Sequence, residues 1–402
     1  MKRFLSCLLP LLLCFGTLSA QSAEEKIDFE KARQLHQRSE RGETLSAEDA
    51  AYLERAKALR QKSGADGLDM QKARALHERK SRGETLPAED QVYVDKAMAA
   101  RGKGGGAAPN QRKAPERLTP LSDMTAADRY EGEDGGLYGA GSNTPPEPLR
   151  QAAAAQLARI QPLDAEGKPA ADGRIVFVSI SMSNATQEFS TFKRLADASP
   201  LKSAKVTIVD CAQGGQAMAQ WAPPAARPWQ EAKDRLARAG VTLPQVQVAW
   251  IKLANVAPGG TLLEHGKKLE ADTLAVLQNA RVLFPNLRIA YLGSRIWAGN
   301  ATTGLNPEPY AYESAFAARW LIQRQMKGDA ALGLEKSPLL LWGPYLWAEG
   351  THGRKLDKLV WERADFGPDG THPSDTGREK VAKLLLDFLT TDPLAKDWFA
   401  VK

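Results

Sequence analysis

From Gly173 onward the chain alternates short apolar runs with helical patterns, and nothing else in it constrains the fold as strongly. The runs are Arg174–Ile180, Lys205–Val209, Val246–Lys252, Arg288–Leu292 and Leu339–Trp342. Between and after them, apolar residues recurring every three or four positions predict helices over Thr186–Ala198, Trp229–Ala239, Glu264–Phe284, Ala311–Lys327 and Asp375–Leu389. Strands that are apolar throughout and separated by helices belong in a mostly parallel sheet, because each crossover helix covers a face. The predicted fold class is therefore α/β, a three-layer α/β/α domain. Ligands of such sheets bind beyond the carboxyl ends of the strands, which directs attention to the segments that follow each run.

Ahead of that domain the chain is organised differently. Lys2 and Arg3 precede a mostly apolar stretch from Phe4 to Leu18, with small residues around Ala20-Gln21-Ser22. That order predicts a signal peptide over residues 1–22, cleaved near residues 20–23. The apolar stretch is short for a bilayer span, and no later run is apolar enough for one. An exported protein, periplasmic or secreted, with no transmembrane span is expected. Next, Asp28–Arg60 recurs as Asp69–Arg101, an offset of 41 residues. Each copy reads as a helical hairpin broken at Gly42 or Gly83. Phe29, Ala32 and Leu35 share one helix face, and Tyr52, Ala56 and Leu59 share another. Ser46, with Asp49 three residues on, predicts a cap for the second helix, and Pro87 takes that place in the other copy. His36 and His77 occupy matching places and read as half-buried core residues rather than a shared ligand pair. Residues 23–101 are thus two helical-hairpin repeats suited to docking on the envelope or another protein. The Gly-, Pro- and Lys-rich residues 102–119 read as a flexible linker, and residues 120–402 as the α/β domain. Tyr130–Gly139 has glycines and acids without the ligand spacing of a calcium loop, and reads as an ordered surface arm.

Composition removes several function classes. Losing Lys2 and Arg3 with the leader takes the formal charge from +6 to +4. A mild, dispersed positive charge gives no nucleic-acid footprint. Cys7 and Cys14 also leave with the leader, so Cys211 has no partner for an intrachain disulfide. The sequence holds no phosphate-cradling glycine loop, and neither His265 nor His352 has a partner at zinc spacing. No cofactor and no metal are expected.

Candidate chemistry lies in the strand-end segments. Asp369-Gly370-Thr371-His372 places a carboxylate three residues before a histidine on one loop. A general base needs its imidazole in one tautomer, and a carboxylate that accepts the Nδ1 proton supplies this. Ser181 stands at the end of the first run, and a serine is a poor nucleophile until a base takes its proton. Ser179 and Ser183 are its rivals. Asn184, with Gln187 three residues on, reads as the cap of the following helix, which leaves Ser181 without a capping task and makes it the preferred nucleophile. Two more segments follow strands, Asp210-Cys211-Ala212-Gln213-Gly214-Gly215 and Leu253-Ala254-Asn255. Paired glycines let backbone N–H groups approach a ligand with no Cβ in the way, and Asn255 offers a neutral donor.

In this order the four segments resemble the Ser, Gly, Asn and His blocks of the SGNH hydrolases, also called GDSL esterases. The resemblance covers roughly residues 173–390. The chain is also similar to exported bacterial proteins of that superfamily that have helical repeats in front. The resemblance implies a flavodoxin-like domain hydrolysing carboxylic esters through a triad of Ser181, His372 and Asp369. It further implies an oxyanion hole made by the N–H of Ser181, the N–H of Gly215 (with Gly214 next) and the side-chain amide of Asn255. The usual Gly-Asp-Ser reads Ser179-Ile180-Ser181 here, and the usual Gly-x-Asn-Asp reads Leu253-Ala254-Asn255-Val256. Asp369 and His372 match intact. The implied substrate is a small acyl ester, an acylated carbohydrate being one class. The altered blocks favour the alternative, a non-catalytic carbohydrate- or envelope-binding protein on a degenerate scaffold.

All nine tryptophans fall between Trp221 and Trp398. Trp297, Trp342, Trp347, Tyr310 and Tyr345 lie in or beside strand-end loops, where flat rings either stack on sugars or pack a core. Arg295, just after the fourth run, either binds an acidic substrate group or pairs with Glu313.

Overall fold

A computed structural model of the protein describes residues 45–62, 86–103 and 110–401, with the helical positions 31, 32, 35, 38, 72, 73, 76 and 79. The leader, His36 and His77 lie outside the described residues. The chain divides into two units, Met1–Met70 and Gln71–Lys402. In the first, Ala32, Leu35, Tyr52, Leu53 and Ala56 are buried together, with Leu45 against them. Helix α1 (Ala47–Lys62) starts at the cap expected for it, the Asp49 N–H donating to Ser46 Oγ at 3.1 Å. In the second unit, helix α2 (Ala88–Lys103) follows Pro87, whose carbonyl accepts the Gln91 N–H at 2.9 Å. Ala73, Leu76, Val94 and Ala97 are buried there.

The α/β part has five strands: β1 (Ile175–Ile180), β2 (Val206–Asp210), β3 (Val246–Lys252), β4 (Ile289–Gly293) and β5 (Leu339–Trp342). Each begins and ends within a residue of its apolar run. Their order is β2-β1-β3-β4-β5 and every neighbouring pair is parallel. All residues of β1, β3, β4 and β5 are buried, which is why they read as largely apolar runs rather than as alternations. The long helices are α3 (Glu147–Leu157), α4 (Ser183–Asp197), α6 (Arg227–Arg238), α7 (Leu262–Leu283), α8 (Tyr310–Met326) and α9 (Asp375–Thr391), with a single turn, α5 (Met218–Trp221), ahead of α6. Helix α4 packs on α9 and α7 on α8, flanking the sheet in a three-layer α/β/α arrangement. Phe177 of β1 meets Phe189 and Phe192 of α4 and Trp398 edge-on. Among the described residues no helix is long and apolar enough to cross a membrane.

The strand order reverses at β1: the chain steps outward to β2, then returns to β3 on the other side. The crevice at such a switch point, between the carboxyl ends of β1 and β3, is where open α/β sheets bind ligands. Ser181 to Ser183 leave β1 there, and Leu253 to Asn255 leave β3.

Two expectations need correcting. Helix α4 begins at Ser183, not Thr186, and Met182 is its N-cap without a side-chain bond. Asn184, the expected cap, is buried inside the helix, and its Nδ2 donates to the Thr371 carbonyl at 2.9 Å. A tertiary partner has displaced the local one. Residues 110–119, assigned by composition to the linker, are fastened to the α/β domain. Gln111 Nε2 donates to the Gly304 carbonyl at 2.7 Å, the Arg112 N–H to Tyr310 Oη at 2.7 Å, and the Leu118 N–H to Glu349 at 2.6 Å. Composition lacks apolar periodicity here because the segment is held mainly by polar bonds. The arm at Tyr130–Gly139 is ordered as expected. Its acids Glu133 and Asp134 pair with the buried Arg319, and the Tyr130 ring stacks on Phe316.

Candidate active site

The loop between β5 and α9 presents the carboxylate and the imidazole together. Asp369 Oδ1 accepts the N–H groups of Thr371 and His372, both at 3.0 Å, and Oδ2 lies 2.6 Å from His372 Nδ1. Burial opposes ionisation of Asp369. The His372 hydrogen bond, its charge and the backbone donors outweigh it and bring the carboxyl down to about 2. An ionised carboxylate only accepts, so Nδ1 carries the proton and Nε2 is free to accept one. The loop turns on Gly370, at φ +63°, where a Cβ would stand 1.7 Å from the Asn300 carbonyl oxygen. Gly370→Ala is therefore expected to shift the loop, lower the melting temperature and cut turnover about 100-fold, since a displacement of about 1 Å costs that much. Unchanged melting and rates would show that the neighbouring loop yields instead.

His372 Nε2 lies 2.8 Å from the Oγ of Ser183. Ser181, the expected nucleophile, is not there. It is fully buried, and its Oγ donates to the Lys252 carbonyl beneath Met182 Sδ. Ser179 is equally committed: its Oγ donates to Asp210 at 2.5 Å and accepts the N–H groups of Cys211 and Ala212 at 3.1 Å each. Both serines satisfy polar groups at the strand end, as buried hydroxyls must. Ser183 stands two residues farther on, at the first helical position of α4, and is only partly covered. The first N–H groups of a helix have no intrahelical acceptor and carry its partial positive charge, so this position favours a developing oxyanion.

All four strand-end segments converge on this point. The Ser181 carbonyl accepts the Gln213 N–H at 2.9 Å and Trp221 Nε1 at 3.2 Å. The Ala254 carbonyl accepts the Met218 N–H at 3.0 Å. Asn184, which sequence reasoning treated as a cap, clamps the serine turn to the base loop through Thr371. Gly215 has φ +77°, and among the described residues neither its N–H nor that of Gly214 has an acceptor. Asn255 is placed differently from expectation. Its Nδ2 donates to Asp272 Oδ2 at 2.6 Å and its Oδ1 accepts the Ala219 N–H at 2.9 Å, so the side chain braces α5 against α7. The opposite amide orientation would break both bonds.

Beneath the serine lies an ion pair that sequence reasoning missed. Lys252 Nζ sits 2.6 and 2.5 Å from the two oxygens of Glu188, and both side chains are fully buried. Burial pulls the ammonium down to about 8 in spite of Glu188. The signal was the one charged residue of β3, the lysine that closes it. The aromatic residues settle differently. Tyr310, Trp342, Tyr345 and Trp347 are core residues, and only the Trp297 ring is partly exposed, edge-on to Phe366. The stacking case for a carbohydrate therefore shrinks to one ring.

No known protein family matches the sequence, and no curated protein matches it. Among solved structures, the chain is similar to a proposed acylhydrolase of Bacteroides fragilis at 12% identity and TM-score 0.32, covering 62% of this chain and 100% of that one. An Arabidopsis thaliana protein gives 12% and 0.29, covering 57% of this chain and 85% of that one. A salicylyl-acyltransferase of a tetracycline biosynthetic pathway gives 14% and 0.28, covering 56% and 58%. Likenesses this distant carry no functional information, so the reading of the site rests on its geometry.

Proposed function

We propose that the protein is an exported serine hydrolase acting on carboxylic esters, with Ser183 as nucleophile, His372 as base and Asp369 as its orienting carboxylate. The observation that supports this is the unbroken hydrogen-bonded line Ser183 Oγ, His372 Nε2, His372 Nδ1, Asp369 Oδ2 at the switch point of the sheet. The reading agrees with the SGNH resemblance and moves its nucleophile by two residues. Export follows from the leader at residues 1–22, and a docking role for the repeats stays part of the same proposal.

Ser183 Oγ attacks the ester carbonyl while His372 Nε2 takes its proton. The oxyanion is held by the N–H of Ser183, in place of that of Ser181, with the unpartnered N–H of Gly215. His372 then protonates the leaving alcohol, and water repeats the sequence on the acyl-enzyme. The line requires no cofactor. Asp369→Asn tests it selectively. Asn would keep the backbone bonds of Oδ1 yet present an N–H to His372, which forces the proton onto Nε2. Turnover is expected to fall about 10,000-fold with the fold intact, read by ester assay beside circular dichroism. The deciding experiment is fluorophosphonate labelling of the full chain with mass mapping of the adduct. An adduct on Ser183 supports the reading; folded protein that takes no label favours the non-catalytic binding protein.

A further inference from the structure

Arg295 stands two residues past β4 and is 1% exposed, yet among the described residues its Nε and Nη2 have no hydrogen-bond partner. Those two atoms form one edge of the planar guanidinium, and their N–H bonds are parallel. The orphaned pair is thus the edge that grips a carboxylate in bidentate fashion. Buried polar atoms are rarely left unsatisfied without cause.

The acidic residues around Arg295 are committed elsewhere. Glu313, its rival partner by sequence, takes His265, Tyr130 and Arg112. Its surrounding carboxylates are Glu188, Glu308 and Asp369. Glu188 holds Lys252 with both oxygens. Glu308 accepts Trp347 Nε1 and the N–H groups of Ala298 and Tyr312. Asp369 belongs to His372.

The connection that leaves Arg295 is also bonded to two loops of the Ser183 site. The Thr302 N–H donates to the Asp369 carbonyl at 2.9 Å. Asn306 Nδ2 donates to the Asn255 carbonyl at 3.1 Å, and Asn306 Oδ1 is another buried atom without a partner among the described residues. One connection therefore has an orphaned cationic fork within electrostatic reach of Asp369 and, eleven residues on, an orphaned acceptor.

We infer that Arg295 is a specificity residue that receives a carboxylate of the substrate, so that the preferred ester is one bearing a free carboxylate. Asn306 Oδ1 would take a neighbouring hydroxyl. The inference rests on the hydrolase reading for its ester, but not for the anion site itself.

Two measurements separate the two. Succinate is titrated calorimetrically into the full chain, its Arg295→Met variant and its Arg295→Lys variant at constant ionic strength. Hydrolysis of a succinate half-ester is compared with that of the neutral butyrate ester. Expected results are succinate binding that weakens about 10- to 100-fold in Arg295→Met and less in Arg295→Lys, which keeps the charge but loses the fork. The half-ester preference in kcat/KM should collapse in parallel, with the melting temperature changed little in Arg295→Met, because Nε and Nη2 have no hydrogen bond to lose. Absence of succinate binding to the wild type, or equal binding in all three, overturns the inference. If neither ester is hydrolysed, the hydrolase reading fails while the titration still decides the anion site. A lowered melting temperature with succinate binding intact assigns Arg295 to structure and also overturns it.

Discussion

Ser183→Ala should abolish covalent labelling by a fluorophosphonate and lower ester turnover on the order of 10,000-fold or more, whereas Ser181→Ala should still be labelled. The two serines differ by two positions and by every property that matters for nucleophilicity. Ser183 is 2.8 Å from an imidazole whose other nitrogen is held by a carboxylate. Ser181 is fully buried and gives its hydrogen to the Lys252 carbonyl. Removing its hydroxyl leaves that carbonyl without this donor, so Ser181→Ala should lose about 1–3 kcal/mol of stability while keeping its chemistry. Turnover and melting temperature therefore move in opposite pairs: Ser183→Ala dead and stable, Ser181→Ala active and softened. An adduct mapped to Ser181 or Ser179 would refute the assignment outright.

The sheet was legible because burial on both faces leaves nothing to alternate, and each strand wrote itself as an apolar run. Asp369 and His372 were legible because their partnership is local, three residues apart on one loop. The serine that faces His372 was not, because choosing among Ser179, Ser181 and Ser183 depends on where the strand ends and the helix begins. Asn184 looked like the cap and moved that boundary three residues too far. Its actual partner, the Thr371 carbonyl, is 187 positions away. Asn255 failed for the same reason: Asp272 claims its amide across a helix. The order of residues 110–119 was hidden because bonds to Gly304, Tyr310 and Glu349 leave no apolar rhythm behind.

Lys252→Met is expected to destabilise the protein by about 3–5 kcal/mol, and adding Glu188→Leu to regain most of that loss. Both side chains are fully buried, and each is the other's hydrogen-bonded counter-ion. Removing the ammonium alone takes from Glu188 both of its hydrogen bonds to Lys252 and leaves a buried carboxylate with Arg295 as a nearby cation that does not hydrogen-bond it. Urea unfolding followed by tryptophan fluorescence would show it. A loss below about 1 kcal/mol, or no recovery in the double variant, would disprove this role of the pair. Under the proposed function the pair also bears on turnover, because Glu188 lies on the helix whose first residue is Ser183, and Lys252 closes the strand that supports Ser181. It fixes the serine turn against the sheet. The double variant, stable but without that tie, should therefore turn over more slowly than wild type while its Asp369–His372 loop stays intact.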